Sequence, residues 1–242
     1  MTDRNIIRIY FKSTELNIKE RASFIVEKQA QISESLDKFD WLLFDKTSVN
    51  LKDKDYAIQL FLKRLKKGIK TFTSKKNITE DYFDTISCID GYYASRKFDN
   101  DASFTYTIGH IDANKNASSL IITNFDCLNN LSQFEQFKTF ILDLIIIFQP
   151  YSIEVSEYAF YRERMNLKSN EYWFGWLTYF SKYIEIPRVI ADAEIEELNN
   201  GGKLLIVTKE YFNSENPEHL KRAKSLTELF RRSNVKPLVK NL

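Results

Sequence analysis

Four carboxylates near the C-terminal end of the sequence form its densest group of chemically active side chains. They are Asp192, Glu194, Glu196 and Glu197. In a strand, positions 192, 194 and 196 project to one face, because side chains alternate. Three interpretations stay open: a solvated strand face, a docking surface that attracts a basic partner, or a general acid/base pair, which no nucleophile or metal motif supports.

The two histidines have no partner at the spacing of a metal site. The sequence contains no HExxH, no CxxC and no Cys/His pair. It also lacks GxSxG and a lysine-containing phosphate loop, and its one glycine pair, Gly201-Gly202, fits a hairpin turn. We therefore predict structural or surface roles for His110 and His219, with no catalytic residue, no metal and no cofactor.

A run of positive charge between Lys63 and Lys76 is the best candidate for phosphate contacts. Its members are Lys63, Arg64, Lys66, Lys67, Lys70, Lys75 and Lys76. The formal net charge of the chain is only +2, which is weak for a nucleic-acid-binding protein. We favour the simpler interpretation, in which the cations suit the C-terminal end of a helix.

The first half of the sequence predicts a strand, two helices and an antiparallel meander. Asn5 to Lys12 is a β-rich run, and Asn17 with Glu20 forms the capping-box pattern for a helix over about 18–38. A second amphipathic helix spans about 54–67, where Gly68 is placed to end it. The meander strands are predicted at 85–96, 103–111 and 118–123.

The second half predicts a buried helix, a hairpin and a final helix. Ser132 and Glu135 form another capping box, opening a strongly apolar helix that runs to about Phe148 and is stopped by Pro150. This helix is apolar nearly all round, so we expect it to be buried against the sheet. The remaining predictions are a strand-like segment at 172–183, a hairpin of 192–198 with 203–208, and a helix from Asn216-Pro217 to about Ser233.

The whole chain indicates one mixed-class domain. Its 242 residues are 43% hydrophobic and 14% aromatic, which is ample for a large core. No linker or repeat divides it, so we predict a single α+β domain over 1–242, a mostly antiparallel sheet packed by about four helices. Two isolated cysteines and no signal-peptide pattern after Met1 predict a cytoplasmic protein. The most apolar stretch, Phe140 to Phe148, has only nine residues and is interrupted by Asp143, so we predict no membrane span.

The sequence from Gly175 onwards resembles the immunity protein 52 family of bacterial polymorphic-toxin systems. The resemblance rests on the order and spacing of a set of short motifs, clearest over residues 175–223. Trp41 is similar to a further tryptophan of the family. The motifs are Gly175-Trp176 with Leu177 and Tyr179, Ile186-Pro187, the strand 202–208, Phe212, Asn216-Pro217-Glu218-His219, and Ala223.

The resemblance implies an α+β immunity protein, an antitoxin that binds and neutralises a cognate secreted toxin by covering its active site. Typical partners of the family are nuclease toxins, some delivered by type VI secretion, and we expect the toxin gene to be adjacent. The acidic group at 192–197 is our predicted toxin-binding surface. The signature residues are predicted to be structural: Trp41, Gly175, Trp176, Pro187, Gly202, Asn216, Pro217 and His219.

The sequence leaves two alternative functions open. One is an enzyme that reverses toxin damage, against which the missing motifs count. The other is a nucleic-acid-binding module that uses the Lys63–Lys76 stretch, although direct nucleic-acid binding is not the favoured interpretation. The sequence leaves open whether the chain forms a homodimer.

Overall fold

The computed structural model describes most of the chain in separate stretches. These are residues 5–12, 16–43, 47–76, 86–93, 102–109, 117–123, 125, 131, 133–157, 160, 171–188 and 190–235. His110, Cys127 and Ser132 lie outside them.

The described residues form four helices and ten strands. The helices are α1 (Ile18–Leu36), α2 (Lys54–Lys76), α3 (Phe134–Phe148) and α4 (Pro217–Arg232). The strands are β1 (Asn5–Lys12), β2 (Asp40–Leu43), β3 (Ser48–Asn50), β4 (Ile86–Tyr93), β5 (Ser103–Gly109), β6 (Ala117–Thr123), β7 (Ser152–Glu157), β8 (Leu177–Phe180), β9 (Glu194–Glu197) and β10 (Lys203–Ile206).

All ten strands join one sheet in the order β3-β2-β4-β5-β6-β1-β7-β8-β10-β9. Every neighbouring pair is antiparallel. The predicted meander is confirmed as β4-β5-β6, and the α+β class with four helices is confirmed. The single-domain organisation stays a prediction.

The two faces of the sheet carry different helices. On one face, called the helix face, Phe11 of β1 packs against Phe24 of α1 and Phe148 of α3, and Trp41 of β2 stacks on Phe61 of α2. On the opposite face, called the α4 face, α4 covers the sheet where Phe230 stacks on Phe180 of β8 at 5.4 Å between ring centroids. The C-terminal strands are therefore buried on both sides, which suits the fully buried run of β7 and β8.

The start of α1 agrees with the sequence prediction. The Asn17 side chain accepts hydrogen bonds from the backbone N–H groups of Lys19 and Glu20, and the Glu20 carboxylate accepts from the Asn17 N–H at 2.7 Å. The predicted capping box is confirmed. It satisfies N–H groups that have no partner within the helix.

Helix α2 is nine residues longer than the sequence predicted, because Gly68 does not end it. A glycine inside a helix costs only about 1 kcal/mol relative to alanine. The apolar period of Ile58, Phe61 and Leu65 continues in the sequence through Ile69 and Phe72. Continued amphipathicity therefore outweighs one unfavourable residue.

Helix α3 ends as predicted but begins differently. Its N-cap residue is Gln133, which makes no side-chain capping hydrogen bond, so the predicted box of Ser132 and Glu135 is not the observed start. Its last residue is Phe148, followed by Gln149 in the left-handed conformation. The helix is buried on one side only, since Ile146 is 74% exposed.

Three predicted strands in the C-terminal half are shorter than expected. Within the segment 172–183 only β8 is a strand, because 171–176 form an extended and turning stretch packed against α4 through Tyr172 and Phe174. The hairpin is confirmed as β9 and β10, with each strand trimmed to four residues.

Candidate docking surface

The four predicted carboxylates do not share one face. Glu194 and Glu196 lie in β9 and project towards the helix face, where the Glu196 carboxylate contacts Lys138 of α3. Glu197 projects to the α4 face because side chains alternate. Asp192 precedes the strand and accepts a hydrogen bond from the Ser225 hydroxyl of α4. Together the four carboxylates wrap around the edge of the sheet; we call them the acidic edge.

Each carboxylate of the acidic edge has a partner within the chain. Besides the contacts to Lys138 and Ser225, Lys209 Nζ lies 2.8 Å from Glu194, and Lys203 Nζ lies 3.6 Å from Glu197. The hydrogen bond to Glu194 raises the pKa of Lys209. The side chains of Lys209 and Lys203 are 60% and 42% exposed, and ion pairs in contact with solvent contribute at most about 1 kcal/mol. A stronger cationic partner can therefore replace them.

The turn between β9 and β10 is held against β8. Gly201 has a φ of 77°, and its N–H donates to the carbonyl of Leu198 at 2.8 Å, while the Leu198 N–H donates to the carbonyl of Gly202. This is a three-residue hairpin loop with a glycine bulge. A Cβ at Gly202 would lie 2.5 to 2.8 Å from the outer end of the Tyr179 side chain, so a larger residue requires that side chain to move.

An open cleft of about 740 Å³ lies between the open end of this hairpin and the start of α4. Carboxylates and cations meet on its walls. The cleft therefore offers charged side chains that can bind a polar or cationic group. The sequence did not indicate that Glu210, Glu218 or Arg222 would be part of such a site. Its charged and titratable lining is Asp192, Glu194, Lys209, Glu210, Glu218, His219 and Arg222.

His219 joins the loop before α4 to the helix itself. Its Nδ1 accepts a hydrogen bond from the Asn213 N–H at 3.2 Å, and its ring stacks on Phe212 with centroids 5.7 Å apart. Its Nε2 lies 3.5 Å from the Glu210 carboxylate. Asn216 begins the helix by accepting from the Glu218 N–H, with Pro217 at the first helical position.

Gly175 and Trp176 lie where β7 and β8 approach most closely. A Cβ at Gly175 would be 2.6 Å from the Val155 carbonyl oxygen and 2.7 Å from Ser156 Cα, so a larger residue does not fit. The Trp176 ring stacks on Phe137 of α3 at 4.3 Å and 2°. The backbone N–H of Trp176 donates to the Val155 carbonyl at 2.9 Å.

The remaining signature residues occupy separate places. Trp41 is fully buried in β2, far along the sheet from the acidic edge. Pro187 is half-buried in the segment between β8 and β9. The signature is thus distributed over the fold, and only Asn216 and His219 line the cleft.

A buried ion pair that the sequence did not indicate crosses two central strands. Arg8 of β1 and Glu154 of β7 are directly opposite in register, with 3.4 Å between Nη1 and Oε2. The Arg8 guanidinium lies 3.7 Å from the Trp173 ring centre. Burial raises the pKa of Glu154 to about 7, although Arg8 and the Trp173 backbone N–H act in the opposite direction. Glu154 is 1% exposed, which indicates an interior group and not an open catalytic site.

The remaining candidates are the basic Lys63–Lys76 stretch, a metal site and a membrane span. The Lys63–Lys76 stretch lies entirely within α2, and the described side chains of Lys63 and Lys66 are exposed. Within the described stretches, no three His, Cys, Asp or Glu side chains are grouped to hold a metal ion. Nor is any helix there both long and apolar enough for a membrane span.

The fold and this surface define an α+β protein with a distributed structural signature and an exposed, charged sheet edge. The family model described as immunity protein 52 matches residues 137–238, from α3 to beyond α4, and confirms the resemblance stated from the sequence. The match suggests an immunity-type and non-enzymatic role.

A solved structure is also similar to the chain. It is the Pseudomonas aeruginosa T6SS protein PA0821, with a TM-score of 0.49 and 11% sequence identity, over 96% of this chain and 73% of that one. No curated protein matches the sequence.

Proposed function

We propose that this protein is a cytoplasmic immunity protein that binds a secreted antibacterial toxin and covers its active site. The toxin belongs to a polymorphic-toxin system, with type VI secretion as the delivery route and the adjacent gene as its source. We further propose that the toxin is a nuclease. The chain acts as a stoichiometric inhibitor and has no catalytic residue of its own.

The observation that carries this proposal is the family match over residues 137–238. The matched part contains both the interior built around Trp176 and the whole β9–β10 hairpin. An inhibitor needs a rigid platform and an exposed surface, since preorganisation reduces the entropy lost on binding. This region provides both in consecutive residues.

The acidic edge supports a nuclease as the partner. A nuclease binds phosphates through a basic channel, and carboxylates presented at a sheet edge are complementary to it. Asp192 and Glu194 also line the cleft, where a cationic side chain has further carboxylates within reach. The ion pairs with Lys203 and Lys209 are exposed, so they are exchanged for toxin cations at small cost.

Co-expression with the toxin from the adjacent gene tests the proposal. We expect wild-type protein to restore growth, and purified protein to inhibit the toxin fully at a 1:1 molar ratio. An enzyme that repairs damage would protect at far lower ratios and leave the toxin active in vitro. Failure of the wild-type protein to protect or to bind would remove the proposal.

The length of α2 favours one second candidate, a nucleic-acid-binding module. Because α2 continues past Gly68, all seven basic residues of the Lys63–Lys76 stretch lie on one helix. Binding of duplex DNA or RNA should then weaken steeply with salt and be lost in a Lys63→Glu/Lys66→Glu variant. Absence of measurable binding at low salt would eliminate this candidate.

A further inference from the structure

We infer that an extended, basic segment of the toxin binds by adding an eleventh strand to the outer edge of β9. The inference rests on the proposed function and specifies its interface. β9 is the last strand of the sheet, and within the described residues it pairs only with β10. Its outer edge is therefore available for strand addition, a common mode of peptide recognition.

The hairpin geometry identifies the backbone groups that face outwards. Leu198 and Gly202 form a hydrogen-bonded pair next to the turn. Because such pairs alternate along an antiparallel ladder, Glu196 and Glu194 bond to β10. The N–H and C=O groups of Ile195 and Glu197 then point away from the sheet. They offer two donors and two acceptors at the spacing that a new strand requires.

The strand is held in place before any partner arrives. The contact between Glu196 and Lys138 ties its helix face to α3, and the contact between Asp192 and Ser225 ties the preceding residues to α4. The turn is fixed by Asn200, whose side chain accepts from the Gly202 N–H and donates to the Tyr179 hydroxyl. An ordered edge loses little conformational entropy when a partner strand binds.

The negative charges of β9 disfavour pairing of this strand with β9 of a second copy of the chain. In any antiparallel self-pairing that overlaps three or more residues of β9, at least one glutamate stands opposite another glutamate. Like charges directly opposite across two strands are destabilising. A segment with lysine or arginine at alternate positions avoids this repulsion and forms ion pairs with Glu194 and Glu196 on the helix face. A further cation at an intervening position would lie on the α4 face, beside Glu197.

Side-chain exposure agrees with a basic strand as occupant. Glu197 is 78% exposed, so its carboxylate is free to turn from Lys203 to a stronger partner. Ile195 is 37% exposed on the α4 face, beside the position that an added strand would occupy. The added strand would thus gain one apolar contact together with its backbone bonds and ion pairs.

Hydrogen exchange on the complete chain tests the inference directly. The probe is the purified toxin from the adjacent gene, carrying a substitution that abolishes its activity. We expect the amides of Ile195 and Glu197 to exchange rapidly in the free protein and at least ten times more slowly in the complex. The amides of Glu194 and Glu196 are already bonded to β10 and should change little.

A matched pair of variants separates backbone from side chain at one position. Glu197→Ala removes the carboxylate and keeps the N–H, so we expect toxin affinity to fall about threefold. Glu197→Pro also removes the outward N–H and should lower affinity about 30-fold or more. Proline is tolerated where the N–H of an edge strand faces solvent, and the melting temperature should stay close to that of the alanine variant.

The outcomes of these experiments distinguish strand addition at β9 from the proposed immunity function on which it rests. Tight toxin binding without new protection at Ile195 and Glu197, and with equal affinities for the two variants, would overturn strand addition and leave the immunity role intact. Absence of toxin binding by the wild-type protein would remove both. Self-association of the free chain, abolished by Glu197→Pro, would assign the edge to a homodimer and also overturn the inference.

Discussion

The interior of the C-terminal region and its outer edge differ in packing and in exposure to solvent. Around Trp176, β7 and β8 are buried on both faces, and Gly175 leaves no room for a single extra carbon atom. Within the described residues, β9 pairs with one neighbour and has exposed ion pairs and mostly exposed side chains. The interior fixes the shape, and the edge remains free for a partner.

This difference separates the residues that identify the family from the residues proposed to bind. A change at Gly175 or Trp176 alters the packing on which the whole region depends. A change at Glu197 alters charge and backbone donors at a surface that the interior does not need. If β9 binds the toxin as proposed, its side chains can vary with the partner without disturbing the signature.

The largest expected effect comes from Trp176→Ala. The ring is 1% exposed and stacks on Phe137, so its removal leaves a large cavity. We expect the free energy of unfolding to fall by about 3–5 kcal/mol in urea titrations. The exposed aromatic Tyr183 provides the control, since Tyr183→Ala should cost less than about 0.5 kcal/mol. Equal losses in the two variants would contradict the comparison.

Gly175→Ala should be next in size. The added methyl group meets backbone atoms of Val155 and Ser156, which cannot move without weakening the bond from the Trp176 N–H. A loss of about 2–3 kcal/mol is expected from chemical denaturation. Gly201→Ala is a matched control whose added Cβ would make only ordinary contacts with the Lys182 side chain, at 3.4 and 3.7 Å. There only the positive φ opposes alanine, at a cost of about 1 kcal/mol. A smaller loss at Gly175 than at Gly201 would argue against the close approach of β7 and β8.

Glu154→Gln should produce a smaller, pH-dependent effect. Burial raises the pKa of Glu154 from 4.5 to about 7, so the folded state retains the proton between these values while the unfolded state loses it. The contribution of Glu154 to stability therefore falls as the pH rises through this window and is constant above it. The glutamine side chain does not titrate.

Unfolding in urea at pH 5, 6, 7 and 8 measures this effect. The stability of the wild type relative to Glu154→Gln should decrease by about 1–3 kcal/mol over the series. A relative stability that does not change with pH would show that Glu154 is ionised across the whole range.

The smallest effect is expected at the edge itself. Glu197→Ala and Lys203→Ala each break an exposed ion pair of 3.6 Å. Each should change the free energy of unfolding by less than about 0.5 kcal/mol. Thermal and urea unfolding measured beside Trp176→Ala would test this. A loss above 1 kcal/mol would mean that β9 supports the interior as well as presenting a surface.

The sequence predicts those parts of the fold that depend on neighbouring residues. The capping box of Asn17 and Glu20, the meander and the hairpin around Gly201 all follow from local patterns. The helix end predicted at Gly68 was wrong, because a local helix-breaking preference was outweighed by the apolar period that continues in the sequence beyond it.

Local sequence patterns could not predict the features that depend on contacts between residues distant in the chain. Arg8 meets Glu154 only because β1 inserts between β6 and β7, and the cleft exists only because α4 returns to the hairpin. The carboxylates predicted to share one face lie on two sides of the sheet, again because of contacts with distant residues. Ser225 of α4 holds Asp192 on one side of the sheet, while Lys138 of α3 holds Glu196 on the other.

The central position of β1 has a consequence for synthesis of the protein on the ribosome. Ile7 pairs with Ile122 on one side and Val155 on the other, so the first strand made must wait for both neighbours. At about 5–20 residues per second, β6 and β7 are translated on the order of 5–30 s after β1. Until β6 has been made, the nascent chain therefore carries an apolar strand without either of its neighbours in the sheet.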